Sequence, residues 1–281
     1  MKIIVVSHKK FDTSMLPKGY FPIKVGTILS DDEAESLGYL RDDVGENISA
    51  KNPYYCELTG MYWAWKNIKD TDIIGLSHYR RYFADYSFFS NRIEDFIVRE
   101  EVVEKILKTH KIIVPYKSRK AYGAMIYKNR PREEQEPYWL TLQDIVYSDY
   151  PEMKAAFDNV LTGRSTIFLN MLITTKKFFD EYSEWLFDVL EKFDQITESK
   201  GGKRIPRVDG YLSETLLDVW VTYRFKKSEI YHMEVIHTEL SPAQRRMVLF
   251  LSKIKANRVL QTLCQTVLLR IRLIEDKWKK H

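Results

Sequence analysis

The chain contains few cysteines: Cys56 and Cys264 are the two among its 281 residues. Two thiols are too few for a disulfide scaffold, and neither belongs to a Cys/His cluster with zinc-site spacing. No apolar run approaches the ~18 residues that a membrane-spanning helix needs. Because residues 1–6 lead into no long apolar stretch, we also expect no signal peptide. These absences exclude the disulfide-rich secreted class and favour a protein of the cytosol or of the inner membrane face.

Several common catalytic motifs are also missing. The chain has no Gly-rich phosphate loop of either standard spacing, which argues against a dinucleotide-dependent dehydrogenase and against a P-loop kinase. Gly75-Leu76-Ser77 lacks the second glycine of a nucleophile elbow. Ser77 and His78 therefore do not form a credible hydrolase pair.

The chain has one Asp-x-Asp sequence, Asp70-Thr71-Asp72. It precedes the apolar run 73–76, whereas ligands of α/β sheets bind beyond the carboxyl ends of the strands. We therefore interpret Asp70 and Asp72 as loop and strand-start residues, and we assign no metal ligands. The sequence leaves open whether a divalent cation, Mn²⁺ or Mg²⁺, acts as a cofactor.

Aromatic side chains and positive charge are plentiful. The 18 Tyr and 6 Trp are enough to serve carbohydrate or interface contacts as well as a core. From residue 241 onward, ten Lys or Arg face only Glu275 and Asp276, which gives the tail +8 and leaves −3 for the first 240 residues. The negative body argues against an extended nucleic-acid footprint.

The tail is also amphipathic. Its apolar positions, among them Leu260, Leu263, Val267 and Ile271, follow helical spacing, and the opposite face carries Lys and Arg. Basic amphipathic helices bind membrane surfaces or partner helices. We expect residues 241–281 to form a helical membrane-association element, and the alternative is ordinary docking of the apolar stripe onto the body.

Short β-branched runs alternate with amphipathic segments in the body, which predicts an α/β fold. The segments 11–50 and 116–137 have the composition of long loops, and the second has that of a lid. We predict strands at 3–7, 73–76, 111–115, 167–174 and 231–236, and helices at 54–67, 92–110, 138–147, 151–161, 176–193 and 211–220.

A dense polar sequence, His78-Tyr79-Arg80-Arg81, follows the second predicted strand. Two guanidinium groups and an imidazole at the carboxyl end of a strand suit a phosphate or diphosphate, because guanidinium forks bind such oxygens bidentately. The alternative is an Arg-rich edge held in structural ion pairs, and residue chemistry alone does not separate the two. Ser7 and His8 end the first strand, where the first ligand contacts of a nucleotide-binding domain fall.

Three further polar residues lie in apolar surroundings. Asn170 interrupts a predicted buried strand, so it is either a structural tie or a ligand contact. Asp209 is a candidate N-cap, and Glu214 lies in the early turns of the same helix, where it could simply stabilise the helix's positive end.

These residues together resemble a known family. The matching features are Asn47-Ile48-Ser49, the run from Tyr55 to Asn67, the run from Ile74 to Phe83, Asn170-Met171, and Arg207 with Gly210-Tyr211 and Glu214. They are similar to bacterial capsule and exopolysaccharide glycosyltransferases long described only as a domain of unknown function, some of which are galactofuranosyltransferases. The resemblance covers about residues 1 to 225 and leaves the tail outside it.

The resemblance implies a GT-A-like glycosyltransferase domain over residues 1–240, with a mixed sheet flanked by helices and a Rossmann-like nucleotide-binding half. It implies a UDP-sugar donor and a lipid-linked glycan acceptor at the inner face of the cytoplasmic membrane, with no nucleic acid. The sequence departs from such enzymes in lacking an acidic metal motif after residue 76. Glu214 or Asp209 is the expected catalytic base, and the expected donor-binding residues are Ser7, His8, Asp43, Asn47, His78, Arg80, Arg81, Asn170 and Arg207.

A second hypothesis is a non-catalytic module. Such a module would bind an anionic membrane or a nucleic acid through the basic tail, and the body would only support it. Deleting residues 242–281 separates the two, because an enzyme would keep its reaction with a soluble donor whereas a binding module would lose its function.

Overall fold

The computed structural model describes residues 1–87, 90–92, 94–119, 132–199, 201, 204–241, 243–244 and 246. The predicted helical tail lies almost wholly outside the described residues, as does the middle of the predicted lid. The domain boundary at residue 240 therefore stays a prediction. No helix within the described ranges is both long enough and apolar enough to cross a membrane.

The body is a mixed sheet with helices. Eight strands run in the order β3-β2-β1-β4-β5-β10-β6-β9, and β9 also pairs with β4, so that the last five close into a circuit. The strands are β1 Lys2–Ser7, β2 Tyr20–Lys24, β3 Leu40–Arg41, β4 Ile73–His78, β5 Arg81–Ala84, β6 Ile112–Pro115, β9 Leu172–Thr175 and β10 Ile230–His237, with a separate pair of β7 Ser118–Arg119 and β8 Ser165–Thr166.

In the described part of the chain, eight α-helices up to Arg224 connect or cover these strands. The last two bury the most residues, eleven and twelve, and the last one runs past the segment that joins β8 to β9. The helices are α1 Asp31–Ser36, α2 Asn52–Tyr55, α3 Leu58–Asn67, α4 Glu100–Leu107, α5 Arg132–Asp149, α6 Lys154–Thr162, α7 Lys176–Ser199 and α8 Val208–Arg224.

The sheet separates two hydrophobic clusters. Alternate residues of β1 face opposite sides: Ile4 and Val6 pack with the helices, whereas Ile3 and Val5 pack with a smaller cluster around Phe83. Each fully buried aliphatic side chain stabilises the fold by roughly 1.5–3 kcal/mol. Strand β1 is therefore the central strand that its β-branched sequence predicts.

The sequence predictions hold best for buried strands and long helices. Strands β1, β4, β6 and β10 and helices α5 to α8 are confirmed, although several extend beyond the predicted bounds. The segment 11–50 is mostly loop, as predicted, although it also contains the short elements β2, α1 and β3. The helix predicted over 92–110 is shorter, because α4 begins at Glu100.

Two predicted elements are interrupted by left-handed backbone. The helix expected over 54–67 is broken at Cys56, whose φ is 52°, and it continues only as α3. The strand expected over 167–174 begins only at Leu172, because Leu169 and Asn170 have φ values of 83° and 49°. Both interruptions lie at the edge of the sheet where the candidate site is found.

Candidate functional site

The carboxyl ends of several strands meet at one edge of the sheet. Strands β1 and β4 are parallel, with Val6 opposite His78. Strand β6 runs in the same direction as β4, since both are antiparallel to β9. We call this the carboxyl edge, and ligands of open α/β sheets bind at such an edge.

Backbone strain concentrates at this edge. Among the described residues, four that are not glycine have a positive φ: Cys56, Leu169, Asn170 and Arg207. Left-handed backbone is unfavourable for side chains with a Cβ by roughly 1–2 kcal/mol per residue, so surrounding contacts must hold each one. All four belong to the same group of contacts, which centres on Glu57, Asn170 and helix α8.

Asn170 is held in one orientation. Its Nδ2 donates to Oε1 of Glu57 at 2.7 Å and to the carbonyl oxygen of Gly210 at 2.9 Å. Both partners are acceptors only, so the amide nitrogen must face them. Asn170 is thus the structural tie that the sequence left as one of two alternatives, and this tie links Glu57 to the first turn of α8.

Helix α8 lines the segment before β9 with three residues at helical spacing: Gly210, Glu214 and Asp218. Glu214 Oε1 accepts from the backbone N–H of Leu169 at 3.0 Å. Asp218 is fully buried and accepts from the Thr166 hydroxyl at 3.0 Å. This row of contacts explains why the chain leaves the strand conformation at residues 169 and 170.

Glu214 and Glu57 are near enough to influence each other. Burial raises the pKa of Glu214 to about 8, and the negative charge of Glu57 acts in the same direction. The N–H of Leu169 and the charge of Arg81 oppose that shift. A carboxyl group with a pKa in this range can exchange a proton near neutral pH.

His78 also contacts the strained segment. Its Nε2 lies 2.6 Å from the carbonyl oxygen of Leu169, and a carbonyl only accepts, so Nε2 carries the proton. Burial lowers the pKa of His78. The charge of Arg81 lowers this pKa further, whereas the charge of Glu57 opposes the shift. The geometry therefore favours a neutral imidazole that holds the backbone.

Several cationic side chains lie at the carboxyl edge near His78. Arg80 and Lys9 both reach Glu239, at 3.0 Å and 3.4 Å, and both side chains lie over the ring of Tyr79. Burial lowers the pKa of His8, and the charges of Lys9, Arg80 and Arg207 contribute. The carboxyl edge thus carries positive charge on three separate segments, partly balanced by one glutamate.

Arg207 precedes α8 in a left-handed conformation, with its N–H donating to the carbonyl oxygen of Pro53 at 2.9 Å. Its guanidinium group lies 5.3 Å from the ring of Tyr211. Burial raises the pKa of the Cys56 thiol to about 11, and the charge of Arg207 opposes this. Arg207 therefore lies between the Cys56 turn and the end of β1.

Asp209 does not cap α8, so that prediction is wrong: the helix follows Arg207, and no side chain caps it. Asp209 is fully buried and accepts a hydrogen bond from Arg204. Burial raises the pKa of Asp209 to about 7, although the charge of Arg204 opposes the shift. Asp209 is thus close in sequence to the site but enclosed by an ion cluster.

The remaining predicted donor contacts make local hydrogen bonds at the same edge. Ser7 Oγ accepts from the N–H of Lys9 at 3.2 Å, and Asn47 Oδ1 accepts from the N–H of Ser49 at 3.2 Å. Asp43 follows β3 and accepts from Nε of Arg41 at 3.0 Å. These three residues end or follow β1 and β3, whose carboxyl ends share the edge with His78.

The sequence interpretation missed Glu57, Lys9 and Glu239. Glu57 falls inside the helix predicted over 54–67, and only the position of a carboxylate just before an apolar helix could have singled it out. The structure shows its significance because Asn170, 113 residues away, contacts it. Lys9 and Glu239 needed the tertiary fold, since β10 brings the chain near residue 239 back to the end of β1.

The structure places the Asp-x-Asp sequence far from this edge. Asp70 pairs with Lys2 at 2.7 Å, at the amino ends of β1 and β4. Within the described ranges, no group of three or more His, Cys, Asp or Glu side chains has an arrangement that could hold a metal ion.

The fold is that of a glycosyltransferase-like protein. The apo structure of WbbM, described as a bifunctional glycosyltransferase, matches with a TM-score of 0.69 and 25% identity over 85% of this chain and 45% of that chain. The present chain thus spans a little under half the length of WbbM.

The chain belongs to the family described as Domain of unknown function (DUF4422), which matches residues 2–227. No curated protein matches the chain. The resemblance inferred from the sequence is confirmed at the level of a glycosyltransferase-like family.

Proposed function

We propose that this protein is a UDP-sugar-dependent hexosyltransferase with a GT-A-like fold. Its acceptor would be a lipid-linked oligosaccharide of capsule, exopolysaccharide or O-antigen synthesis, and galactofuranose is the first candidate for the transferred sugar. The family match and the fold shared with a glycosyltransferase support the class. One observation carries the proposal: four residues with left-handed backbone surround the carboxylates of Glu57 and Glu214. These carboxylates lie beside the cationic side chains of the carboxyl edge.

The cationic edge is the proposed diphosphate site. Arg80 and Arg207 supply guanidinium groups there, and Arg81 adds a third charge next to His78. Such groups bind phosphate oxygens through charge-assisted hydrogen bonds and can neutralise the leaving diphosphate. The nucleoside would then lie toward β1 and β3, near Ser7, His8, Asp43 and Asn47.

Glu214 is the proposed catalytic base. The acceptor oxygen forms a bond to the anomeric carbon, the bond from that carbon to the diphosphate oxygen breaks, and UDP leaves with the electron pair. The hydroxyl proton passes to the Glu214 carboxylate, whose pKa of about 8 is close to a neutral working pH. Asp209, the other candidate base, is fully buried and bonded to Arg204.

Asn170 and Glu57 support this base. Asn170 connects Glu57 to α8 through its Nδ2, which leaves Oδ1 as the atom that would contact the donor sugar or the acceptor. The charge of Glu57 keeps the pKa of Glu214 high, so that Glu214 is a stronger base once ionised. Glu57 therefore acts on the reaction through Glu214.

A nucleotide-sugar screen tests the proposal. We expect at least one UDP-sugar to raise the melting temperature of the protein and to be hydrolysed slowly without an acceptor, because a ligand of the native state stabilises it by mass action. Running the screen with and without Mn²⁺ also determines whether a divalent metal shares the diphosphate charge. Folded protein that binds and hydrolyses no UDP-sugar under either condition would contradict the proposal.

We further propose that residues 241–281 hold the enzyme at the inner membrane face, as a peripheral protein. The support is the net charge of +8 and the helical apolar stripe, since each basic residue near anionic lipid contributes about 1 kcal/mol. Deleting 242–281 should abolish sedimentation with anionic vesicles and leave donor hydrolysis intact. Sedimentation that persists after the deletion would refute the anchor.

A further inference from the structure

The loop between α7 and α8 ends in a buried ion cluster. The Arg204 side chain is 8% exposed and lies between Asp194, at 6%, and Asp209, at 0%. Its guanidinium group forms an ion pair with Oδ1 of Asp194 at 2.6 Å. A buried charge without its partner is strongly unfavourable, so these three residues hold one another in place.

Helix α2 and the turn before it complete the cluster. Oδ2 of Asp194 accepts from the Tyr55 hydroxyl at 2.9 Å and from Nζ of Lys51 at 3.0 Å. The Arg204 guanidinium group also lies 4.3 Å from the ring of Tyr54. Two cations and two carboxylates therefore join the loop, α7, α8 and α2.

Arg207 lies inside the span that this cluster holds. It is three residues after Arg204 and two before Asp209, and its N–H bonds to Pro53 of α2. A left-handed arginine persists only where contacts on both sides impose it. The same conformation places Arg207 close enough to the end of β1 to affect His8.

We propose that the cluster of Arg204, Asp194 and Asp209 is a positioning device for Arg207. It fixes the turn that presents the Arg207 guanidinium group at the carboxyl edge, and Asp209 orients this group without touching the substrate. The inference rests on the proposed function for what Arg207 binds, which is the diphosphate of the donor. The position of the turn itself does not depend on that function.

Binding of plain UDP separates this role from catalysis. We expect Asp209→Asn to weaken UDP binding about 10-fold by calorimetry, the effect of losing one charge-assisted contact. Adding Asp209→Asn to Arg207→Ala should weaken binding no further than Arg207→Ala alone, because both changes remove the same interaction. Glu181→Gln is the control: it also alters an ion-paired carboxylate, on α7 and away from the carboxyl edge, and UDP affinity should stay within twofold.

A second measurement needs no ligand. Hydrogen exchange of the peptide that contains Arg207 should accelerate in Asp209→Asn and not in Glu181→Gln. Should Asp209→Asn fail to fold, Tyr55→Phe removes only the hydroxyl bond to Asp194 and should show the same faster exchange and weaker UDP binding.

The outcomes are distinct. Unchanged UDP affinity and exchange in Asp209→Asn or Tyr55→Phe overturn the positioning role, and lost turnover at unchanged affinity would make Asp209 a catalytic residue. If the wild-type protein binds no UDP, the proposed function fails, while hydrogen exchange still decides whether the cluster fixes the turn.

Discussion

The two edges of the sheet both carry acidic residues, and they differ in what surrounds those residues. At the amino edge, Asp70 is an exposed carboxylate paired with Lys2, and the charge and hydrogen bond of Lys2 lower its pKa. At the carboxyl edge, Glu214 is enclosed and burial raises its pKa to about 8. The amino edge holds the recognisable Asp-x-Asp sequence, whereas the carboxyl edge holds the strained backbone. Desolvation and strain therefore mark the carboxyl edge as the candidate site, whereas the Asp-x-Asp sequence lies outside it.

We expect the largest effect when one carboxylate at each edge is replaced, Glu214 at the carboxyl edge and Asp70 at the amino edge. Glu214→Gln should lower the turnover of the UDP-sugar about 10²- to 10⁴-fold, the range for loss of a general base, with UDP affinity nearly unchanged. Asp70→Asn should leave turnover within twofold. Initial rates at saturating donor measure both, and an equal loss in the two variants would remove the distinction between the edges.

A second prediction compares two arginines with similar surroundings. Arg80 and Arg224 are 40% and 39% exposed, and each lies 3.0 Å from a glutamate oxygen. Arg80→Ala should weaken UDP binding about 10-fold, because only Arg80 lies at the carboxyl edge. Arg224→Ala should leave binding unchanged in the same titration. Equal affinities in both variants would mean that Arg80 only forms a surface ion pair.

The third prediction concerns stability as a function of pH. Folding raises the pKa of Glu214 from 4.5 to about 8. The stability that protonated Glu214 contributes to the folded state is therefore fully present below pH 4.5, and it is lost as the pH rises toward 8. The stability of Glu214→Gln relative to wild type should therefore increase between about pH 5 and 8. Each kcal/mol of that difference should appear as a difference of roughly 2–4 °C in Tm. Asp70→Asn should show no such trend over that interval, since folding lowers the pKa of Asp70. Parallel Tm curves for wild type and Glu214→Gln would show that Glu214 does not carry this proton.

The fourth prediction tests the pair at the carboxyl edge. The Glu57 charge raises the pKa of Glu214, so Glu57→Gln should move the rise of kcat with pH to lower values. Glutamine can still accept the hydrogen bond from Asn170, so the geometry should survive. A pH profile that keeps its wild-type midpoint would show that the two carboxylates do not interact.

The smallest expected effect is at Glu239, which bridges Lys9 and Arg80. A phosphate would compete with this carboxylate for the same cations. Glu239→Gln should therefore tighten UDP binding by about two- to fivefold, since exposed ion pairs are worth roughly 0–1 kcal/mol. Weaker binding in the variant would mean that Glu239 supports the site and does not compete with the ligand.

The sequence predicted what depends on local pattern. The β-branched run of β1 and the apolar run of β4 gave correct strands, and the polar residues after them lie at the carboxyl edge, where they were expected. Strand β2 was missed because Pro22 and the short apolar run resemble a loop. The glycosyltransferase-like class came from the resemblance, which the family match and the fold shared with WbbM together bear out at that level.

The site itself depends on contacts between distant residues. No glycine marks the left-handed turn at Leu169 and Asn170, since that turn is imposed by Glu214, Glu57 and the backbone of α8. The sequence predicts His78 as a donor-binding residue beside the two arginines, whereas burial and the bond to Leu169 favour a neutral imidazole that holds the backbone. Burial and partners of this kind cannot be read from composition or periodicity.

A crystal structure of the wild-type protein with UDP tests the central claim most directly. We predict that the diphosphate lies at the carboxyl edge, within hydrogen-bond distance of Arg80 and Arg207, with Glu239 displaced from at least one of its cations. UDP bound at the amino edge near Asp70, or at any position out of reach of both arginines, would contradict the account.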